Sequence, residues 1–212
     1  MTRRLAATAD LHGCLPDVSP CDVLLVAGDV CPVSNHRLDH QRWWLEGAFA
    51  AWLERTEAGA IVGIAGNHDF VAEADPALMR SLPWTYLCDE AVDVAGLLVY
   101  GSPWTPTFGE WAFMRDDREL EQVWARIPSE VDVLMTHGPP LGYGDLVVDG
   151  RRAGSAALAR RLGDLERLRL HIFGHIHEAG GSLDRLGSAT ITNVSYVDFD
   201  YRPTRPAAVF DL

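Results

Sequence analysis

The sequence predicts a layered α/β fold, with two sheets packed face to face and flanked by helices. Three observations carry this. Short, continuous apolar runs of strand length recur along the chain. Helical patterns fall between them, and the C-terminal third is punctuated by turn glycines. The first run, residues 5–9, opens the chain and is followed by a second at 23–26. Neither alternates apolar with polar, as expected for strands buried on both faces. A helix is expected over 39–55, where Trp43, Trp44 and Trp52 are spaced like an apolar face. His36 and His40 fall on the loop before it. A strand at 60–64, a helix at 76–82, a strand at 97–100 and a helix at 118–126 follow in turn. Next come an apolar strand at 131–135, a helix at 155–168 and another apolar strand at 170–173, in which His171 reads as structural. The segments 190–194 and 208–210 read as further strands, and Gly180-Gly181 and Gly187 as the turns of antiparallel hairpins. With no internal repeat, low-complexity tract or linker, 1–212 reads as one domain.

Composition narrows the function classes. Nearly half of the residues are apolar (48%) and 23% are charged, as in an ordinary globular protein. No apolar run is long enough to cross a membrane, and the N-terminal residues do not read as a cleaved signal. The expected setting is the cytoplasm. A net charge of −12 disfavours a nucleic-acid polymer or an anionic membrane as partner. Lysine is absent and all 18 basic residues are arginine, so a P-loop and a Schiff-base mechanism are excluded. Cys14, Cys21, Cys31 and Cys88 show no C-x-x-C spacing and read as reduced thiols.

The chemistry sits in five phrases, most of them directly following an apolar run: Asp10-Leu11-His12, Gly28-Asp29, Gly66-Asn67-His68-Asp69, Thr136-His137-Gly138 and Gly174-His175-Ile176-His177. In open α/β sheets, ligands gather outside the C-terminal ends of the strands, so phrases far apart in sequence can converge there. Asp10 with His12, and His175 with His177, are two apart. In extended chain that spacing puts both side chains on one face. Asp29 offers two oxygens that two cations can share, and Asn67 a neutral carbonyl oxygen. Glycines 28, 66 and 174 precede ligands or sit beside them, and would supply the positive-φ turns that aim a side chain inward. Asp69, next to His68, is expected to hold its imidazole. Two Asp, one Asn and four His are the inventory for two adjacent divalent cations bound by nitrogen and oxygen. Such ions would favour an anionic substrate locally even though the whole chain is acidic.

The ordered set D-x-H, G-D, G-N-H-D, H-G and G-H-x-H resembles the signature of the calcineurin-like metallophosphoesterases, with every ligand position filled. The stretches 100–104, 136–142 and 173–178 are similar to the branch that includes the vertebrate metallophosphoesterase-domain proteins. The resemblance implies a four-layer αββα sandwich of two mixed sheets flanked by helices. It implies one metal held by Asp10, His12, Asp29 and His177, and a second by Asp29, Asn67, His137 and His175. For the two divalent ions, the ligand types fit Mn, Fe, Zn, Co or Ni about equally well. His68 and Asp69 would be the acid or transition-state-stabilising pair, with Asn67 also touching substrate. The implied activity is hydrolysis of small phosphodiesters, cyclic nucleotides among them, by in-line attack of a metal-bridging hydroxide. A phosphomonoesterase and a non-catalytic binding scaffold are the alternatives. The loop after Asp29, Val30-Cys31-Pro32-Val33-Ser34-Asn35, departs from the family pattern.

Three other features bear on substrate. The segment 103–113 holds Trp104, Phe108, Trp111 and Phe113, an aromatic wall or simply loop packing. Trp104 is assigned to the substrate side. Arg152, with Arg151, is placed to reach a phosphate.

Overall fold

A computed structural model describes residues 2–212. Thirteen strands and six α-helices follow one another in the order β1 (Arg4–Thr8), β2 (Cys21–Ala27), α1 (Leu38–Trp44), α2 (Ala50–Arg55), β3 (Ala58–Ile64), α3 (Phe70–Ala74), α4 (Pro76–Ser81), β4 (Thr85–Tyr86), β5 (Glu90–Val94) and β6 (Leu97–Ser102). Then come β7 (Thr105–Pro106), β8 (Met114–Arg115), α5 (Asp117–Trp124), β9 (Val133–Thr136), α6 (Ala156–Leu162), β10 (Leu170–Phe173), β11 (Leu183–Leu186), β12 (Ala189–Asn193) and β13 (Ala208–Asp211).

The strands form two large mixed sheets, ordered β13-β1-β2-β3-β4 and β11-β12-β10-β9-β6-β5. β1, β2 and β3 run parallel, and so do β6, β9, β10 and β12; antiparallel β13, β11 and β5 close edges. Only β11–β12 is a hairpin of the kind expected in the C-terminal third, because β12 turns back to lie parallel to β10.

The apolar runs explain the layering. In β2, Val23, Leu25 and Ala27 pack between the sheets against Val99, Val133 and Ile172. The intervening Leu24 and Val26 face a helical layer holding Leu45, Phe49, Trp52 and Met79. On the far side, Tyr100, Leu134 and Ile191 meet Leu120, Trp124 and Leu158 of α5 and α6. The result is helices, sheet, sheet, helices, the four-layer αββα architecture.

Four expectations change in detail. The helix expected over 39–55 is α1 and α2 joined by a π-helical turn at Leu45–Phe49. His40, read as a loop residue although it falls within the expected range, lies inside α1. Trp43 is 70% exposed, because neighbours on a helix point about 100° apart and Trp44 takes the core side. The helix expected to reach 168 stops at Leu162 before Gly163, and i→i−3 turns then carry Leu165 and Leu168 into the core. Among the described residues no helix is long and apolar enough to cross a membrane.

Candidate metal centre and cleft

The parallel strands of both sheets end on the same side, and five of them deliver the five phrases there. Asp10 follows β1, Asp29 follows β2, Asn67 and His68 follow β3, His137 follows β9, and His175 and His177 follow β10. The sheet ends are stitched by Ala9, whose N–H donates to the Val194 carbonyl at 3.0 Å while its own carbonyl accepts from Tyr196 N–H at 2.8 Å.

The backbone at the ligands is unusual. Asp10, His12, Asp29 and His175 all have φ between 46° and 70°. Left-handed backbone at non-glycine residues is strained and persists where the surroundings over-determine it. Here Asp10 N–H donates to the Gly28 carbonyl (3.0 Å) and His12 N–H to the Asp29 carbonyl (2.9 Å). His175 N–H donates to the Asp10 carboxylate at 2.9 Å. The expected role of the glycines is thereby revised. Only Gly28 has positive φ. Gly66 and Gly174 are needed for close approach: a Cβ would lie 2.3 Å from Asp29 Oδ1 at the first and 2.3 Å from Asp10 Oδ2 at the second.

All seven candidate ligands are brought together. Donor atoms of Asp10, His12 and His177 lie within 4.8 Å of one another, as do those of Asp10, Asp29 and His137. His12 Nε2 and His177 Nε2 are 3.0 Å apart. Asp29 Oδ2 is 3.7 Å from His12 Nε2 and 3.3 Å from His137 Nε2. Asn67 Oδ1 is 3.0 Å from His137 Nε2, and the His175 ring centre is 5.3 Å from that of His137.

This donor set fits divalent cations. His137 Nδ1 lies 2.9 Å from the Ala27 carbonyl, which can only accept, so Nδ1 carries the proton. In the neutral ring Nε2 is then a lone pair aimed at two further acceptors, Asp29 Oδ2 and Asn67 Oδ1. Such a convergence is stable only around a positive charge. The same demand appears in protonation. Burial opposes the charged ring of His137, but the Asp29 carboxylate outweighs it and raises the group to about 9. Burial would raise Asp10 and Asp29, yet the imidazoles facing them, His177 and His137 first, hold both well below the usual carboxylate range. His12 and His175, with burial dominant, drop to about 4 and about 3 and stay neutral, as metal ligands must be.

The remaining predicted site residues divide. His68 lines the cleft beside the cluster, its N–H donating to Asp29 Oδ1 at 2.7 Å. Asp69 does not hold the His68 ring. Its fully buried carboxylate accepts from the backbone N–H groups of Gly66 (2.8 Å), Cys31 (2.9 Å) and Val30 (3.2 Å), tying the loop after β2 to the loop after β3. The ring nitrogen Nδ1 of His68 meets His36 Nε2 instead, at 3.1 Å. Trp104 is likewise not brought into the cleft. Its indole N–H donates to Asp89 Oδ2 at 2.9 Å, with Phe113 edge-on and the Arg115 guanidinium 4.2 Å over the ring. Of the four aromatics of that segment, Phe108 and Trp111 are the two that face the cleft. Arg151 and Arg152 line it as well, and Arg152 Nη1 is held 2.6 Å from the buried Asp145.

Sequence reasoning missed Gln41, Ser195 and Tyr201. Buried Gln41 donates to the His68 carbonyl (2.7 Å) and accepts from Val71 N–H (2.9 Å), clamping the loop to α1. Ser195 Oγ–H donates to Asp10 Oδ2. Tyr201, at φ +59°, sets its ring 4.9 Å from that of His12. Asn193-Val194-Ser195 carried the one available signal, since it stands at the end of the strand-like segment 190–194. The cleft over the cluster has a volume of about 540 Å³, with Phe108 and Trp111 on one wall and Phe199 and Tyr201 also lining it.

A double sheet with a buried histidine–carboxylate cluster at its strand ends defines a class of metal-centred α/β proteins. Within that class the assignment is specific. Residues 3–179 match the family described as Calcineurin-like phosphoesterase, and the chain belongs to that family. It is 42% identical over 191 residues to metallophosphoesterase domain-containing protein 1 of Homo sapiens, covering 77% of this chain and 58% of that protein. It is 43% identical over 205 residues to a UPF0046 protein of Caenorhabditis elegans, covering 80% and 50%. The chain thus spans half to three fifths of the length of these relatives. In fold it is similar to a dimetal phosphatase from Danio rerio, with TM-score 0.58, 11% identity and coverage of 90% and 86%. A sulfate thiohydrolase from Thermus thermophilus is similar too, with TM-score 0.54, 15% identity and coverage of 91% and 51%.

Proposed function

We propose that the protein is a metal-dependent phosphoesterase that hydrolyses small phosphodiesters carrying a flat apolar group, cyclic nucleotides among them. One observation carries the reading: two buried carboxylates, Asp10 and Asp29, ringed by imidazoles at the floor of a cleft of about 540 Å³. Family membership supports phosphate-ester chemistry. The aromatic side chains on the cleft walls support a substrate with a planar part.

In this reading Asp10, His12, Asp29 and His177 would hold one divalent ion, and Asp29, Asn67, His137 and His175 a second. When bound, such ions would neutralise phosphate oxygens and lower the pKa of water to supply a nucleophile near neutral pH. The chain's own residues do the rest. Asp10 and Asp29 provide the two negative charges, and four neutral imidazoles and one amide complete the donors without adding more. That leaves the centre net positive toward an anionic ester. His68, standing beside the donors and taken in its protonated form, offers a ring N–H to the oxygen on which charge develops and passes that proton to the departing alkoxide or aryloxide, leaving the neutral imidazole. Gln41 and Asp29 fix the His68 backbone, so that the donor does not have to be ordered during reaction. Phe108, Trp111 and Tyr201 exclude water from the apolar part of the substrate.

The test is Mn²⁺-dependent hydrolysis of bis(p-nitrophenyl) phosphate beside p-nitrophenyl phosphate, with Asp29→Asn as control. Diester turnover lost in the variant is expected. Turnover of the monoester alone would replace the diesterase reading with a phosphatase. No turnover of either ester with any of Mn, Fe, Zn, Co and Ni would overturn the reading.

A further inference from the structure

We infer that His36 is the positioning residue for His68: it holds the His68 imidazole by Nδ1, so that Nε2 is the nitrogen presented to the cleft. The role rests on the phosphoesterase reading of the same site.

The observations begin with what Asp69 cannot do. It is adjacent to His68 in sequence, yet both of its oxygens are committed to backbone N–H groups of two loops. The His68 backbone is fixed on both sides, its N–H on Asp29 Oδ1 and its carbonyl on the Gln41 amide. The ring remains free to turn about its last torsion, which is broad and roughly two-fold for histidine. A single polar contact resolves that freedom among the described residues, the 3.1 Å approach of His36 Nε2 to His68 Nδ1.

His36 is itself held. Its ring lies 5.4 Å from that of Phe70 and 5.5 Å from that of Trp111, and Trp111 in turn packs 4.4 Å from His68. The residue follows directly on residues 30–35, the stretch after Asp29 in which the sequence departs from the family pattern. That loop is anchored by Asp69 through Val30 and Cys31, so the carboxylate of the G-N-H-D phrase acts on the loop that supplies His36. A ring nitrogen bound in this way fixes the orientation of the ring and so which nitrogen faces the cleft. Partners of this kind are worth about 10–100-fold in activity.

The test compares His36→Phe, which keeps a flat ring against Phe70 and Trp111, with His36→Gln, which restores a side-chain hydrogen-bonding group. In the metal-loaded protein, His36→Phe is expected to lower kcat on bis(p-nitrophenyl) phosphate by about 10–100-fold. KM should stay within about two-fold and metal content should be unchanged. His36→Gln is expected to regain most of the loss, which a packing role would not allow. A second readout needs no turnover. In metal-free, ¹⁵N-histidine-labelled protein, His36→Phe should shift the His68 ring nitrogens, assigned with His68→Gln, toward the pattern of an unconstrained imidazole. Native kcat in His36→Phe, no regain in His36→Gln, or His68 signals that His36→Phe leaves in place would each overturn the inference. If the native protein hydrolyses no phosphate ester, the functional reading falls while the nitrogen spectra still decide whether His36 sets the ring. His36→Ala carries the same comparison if phenylalanine is not tolerated.

Discussion

Replacing Asp69 by Asn separates two roles that the G-N-H-D phrase leaves indistinguishable on paper. The carboxylate is fully buried, and three backbone N–H groups converge on it at 2.8, 2.9 and 3.2 Å. Asn is isosteric but keeps one acceptor oxygen. Its NH₂ must then face at least one of these N–H groups, which loses its partner. Losing a charge-assisted bond with a buried donor left over costs about 1.5–3 kcal/mol, and the surviving bonds weaken toward neutral strength, for about 3 kcal/mol in all. In a chain of this size each kcal/mol moves Tm by about 2–4 °C, so a fall of about 6–12 °C is expected. The measurement is calorimetry of both proteins with chelator present, because bound metal stabilises the folded state and would blur the comparison. If Asp69 instead oriented the His68 imidazole, the variant would keep its Tm and lose kcat. A Tm within about 2 °C of native would refute the loop-tying role.

Two further outcomes follow from other buried groups. His171 sits in β10 with Nε2 2.8 Å from Thr136 Oγ1, and burial lowers it to about 3 against 6.5 for a free histidine. The folded state therefore holds it neutral while the unfolded chain takes up a proton below pH 6.5. Stability from this group is intact above 6.5 and lost as pH falls toward 3, about 1.4 kcal/mol per unit or about 2 kcal/mol by pH 5. Urea unfolding of His171→Gln beside the native protein should show their stability difference shrinking by that amount between pH 7 and pH 5. A pH-independent difference would contradict it. Ser195 orients Asp10 through its Oγ–H, so Ser195→Ala should weaken divalent-metal affinity by about 10–100-fold with little change in Tm. Calorimetric titration with Mn²⁺ giving native affinity would rule that out.

What could be read from the chain, and what could not, follows from the reach of each signal. Asp10, Asp29, Asn67, His137, His175 and His177 were legible because each stands just past an apolar run, and strand ends of an α/β fold share one side. The two sheets were legible because runs such as 23–26 have no polar face. Side-chain direction was not. Asp69 and His68 are neighbours in sequence, but the chain turns into α3 between them and sends one side chain to the loops and the other to the cleft. Trp104 looked like a cleft wall because its aromatic neighbours are. Yet within that segment Phe113 adopts φ +52°, and the backbone there sends Trp104 and Phe113 to the core and Phe108 and Trp111 to the cleft. His36, Gln41, Ser195 and Tyr201 act across 27 to 189 positions of chain on residues such as His68, Asp10 and His12. No periodicity reports a contact of that kind.

The positive φ angles at the ligands show where the fold places its strain. Asp10, His12, Asp29 and His175 account for four of the eight non-glycine residues in left-handed backbone among the described residues. Each such residue costs about 1–3 kcal/mol, and burying Asp10 and Asp29 adds to that. None of this is needed to close the sandwich, whose three apolar layers lie on other residues. The strain serves direction. A strand continued past Thr8 or Ala27 would carry Asp10 and Asp29 away from the opposite sheet. The left-handed turn instead drops their carboxylates between the sheet ends, where Gly66 and Gly174 leave room for nothing larger than hydrogen. The hydrogen bonds that hold those turns, from Asp10 and His12 to the loop after β2 and from His175 to Asp10, are made by the protein to itself. The backbone that presents the donors is thus held by the protein's own hydrogen bonds, and the apolar layers bear the cost of its strain.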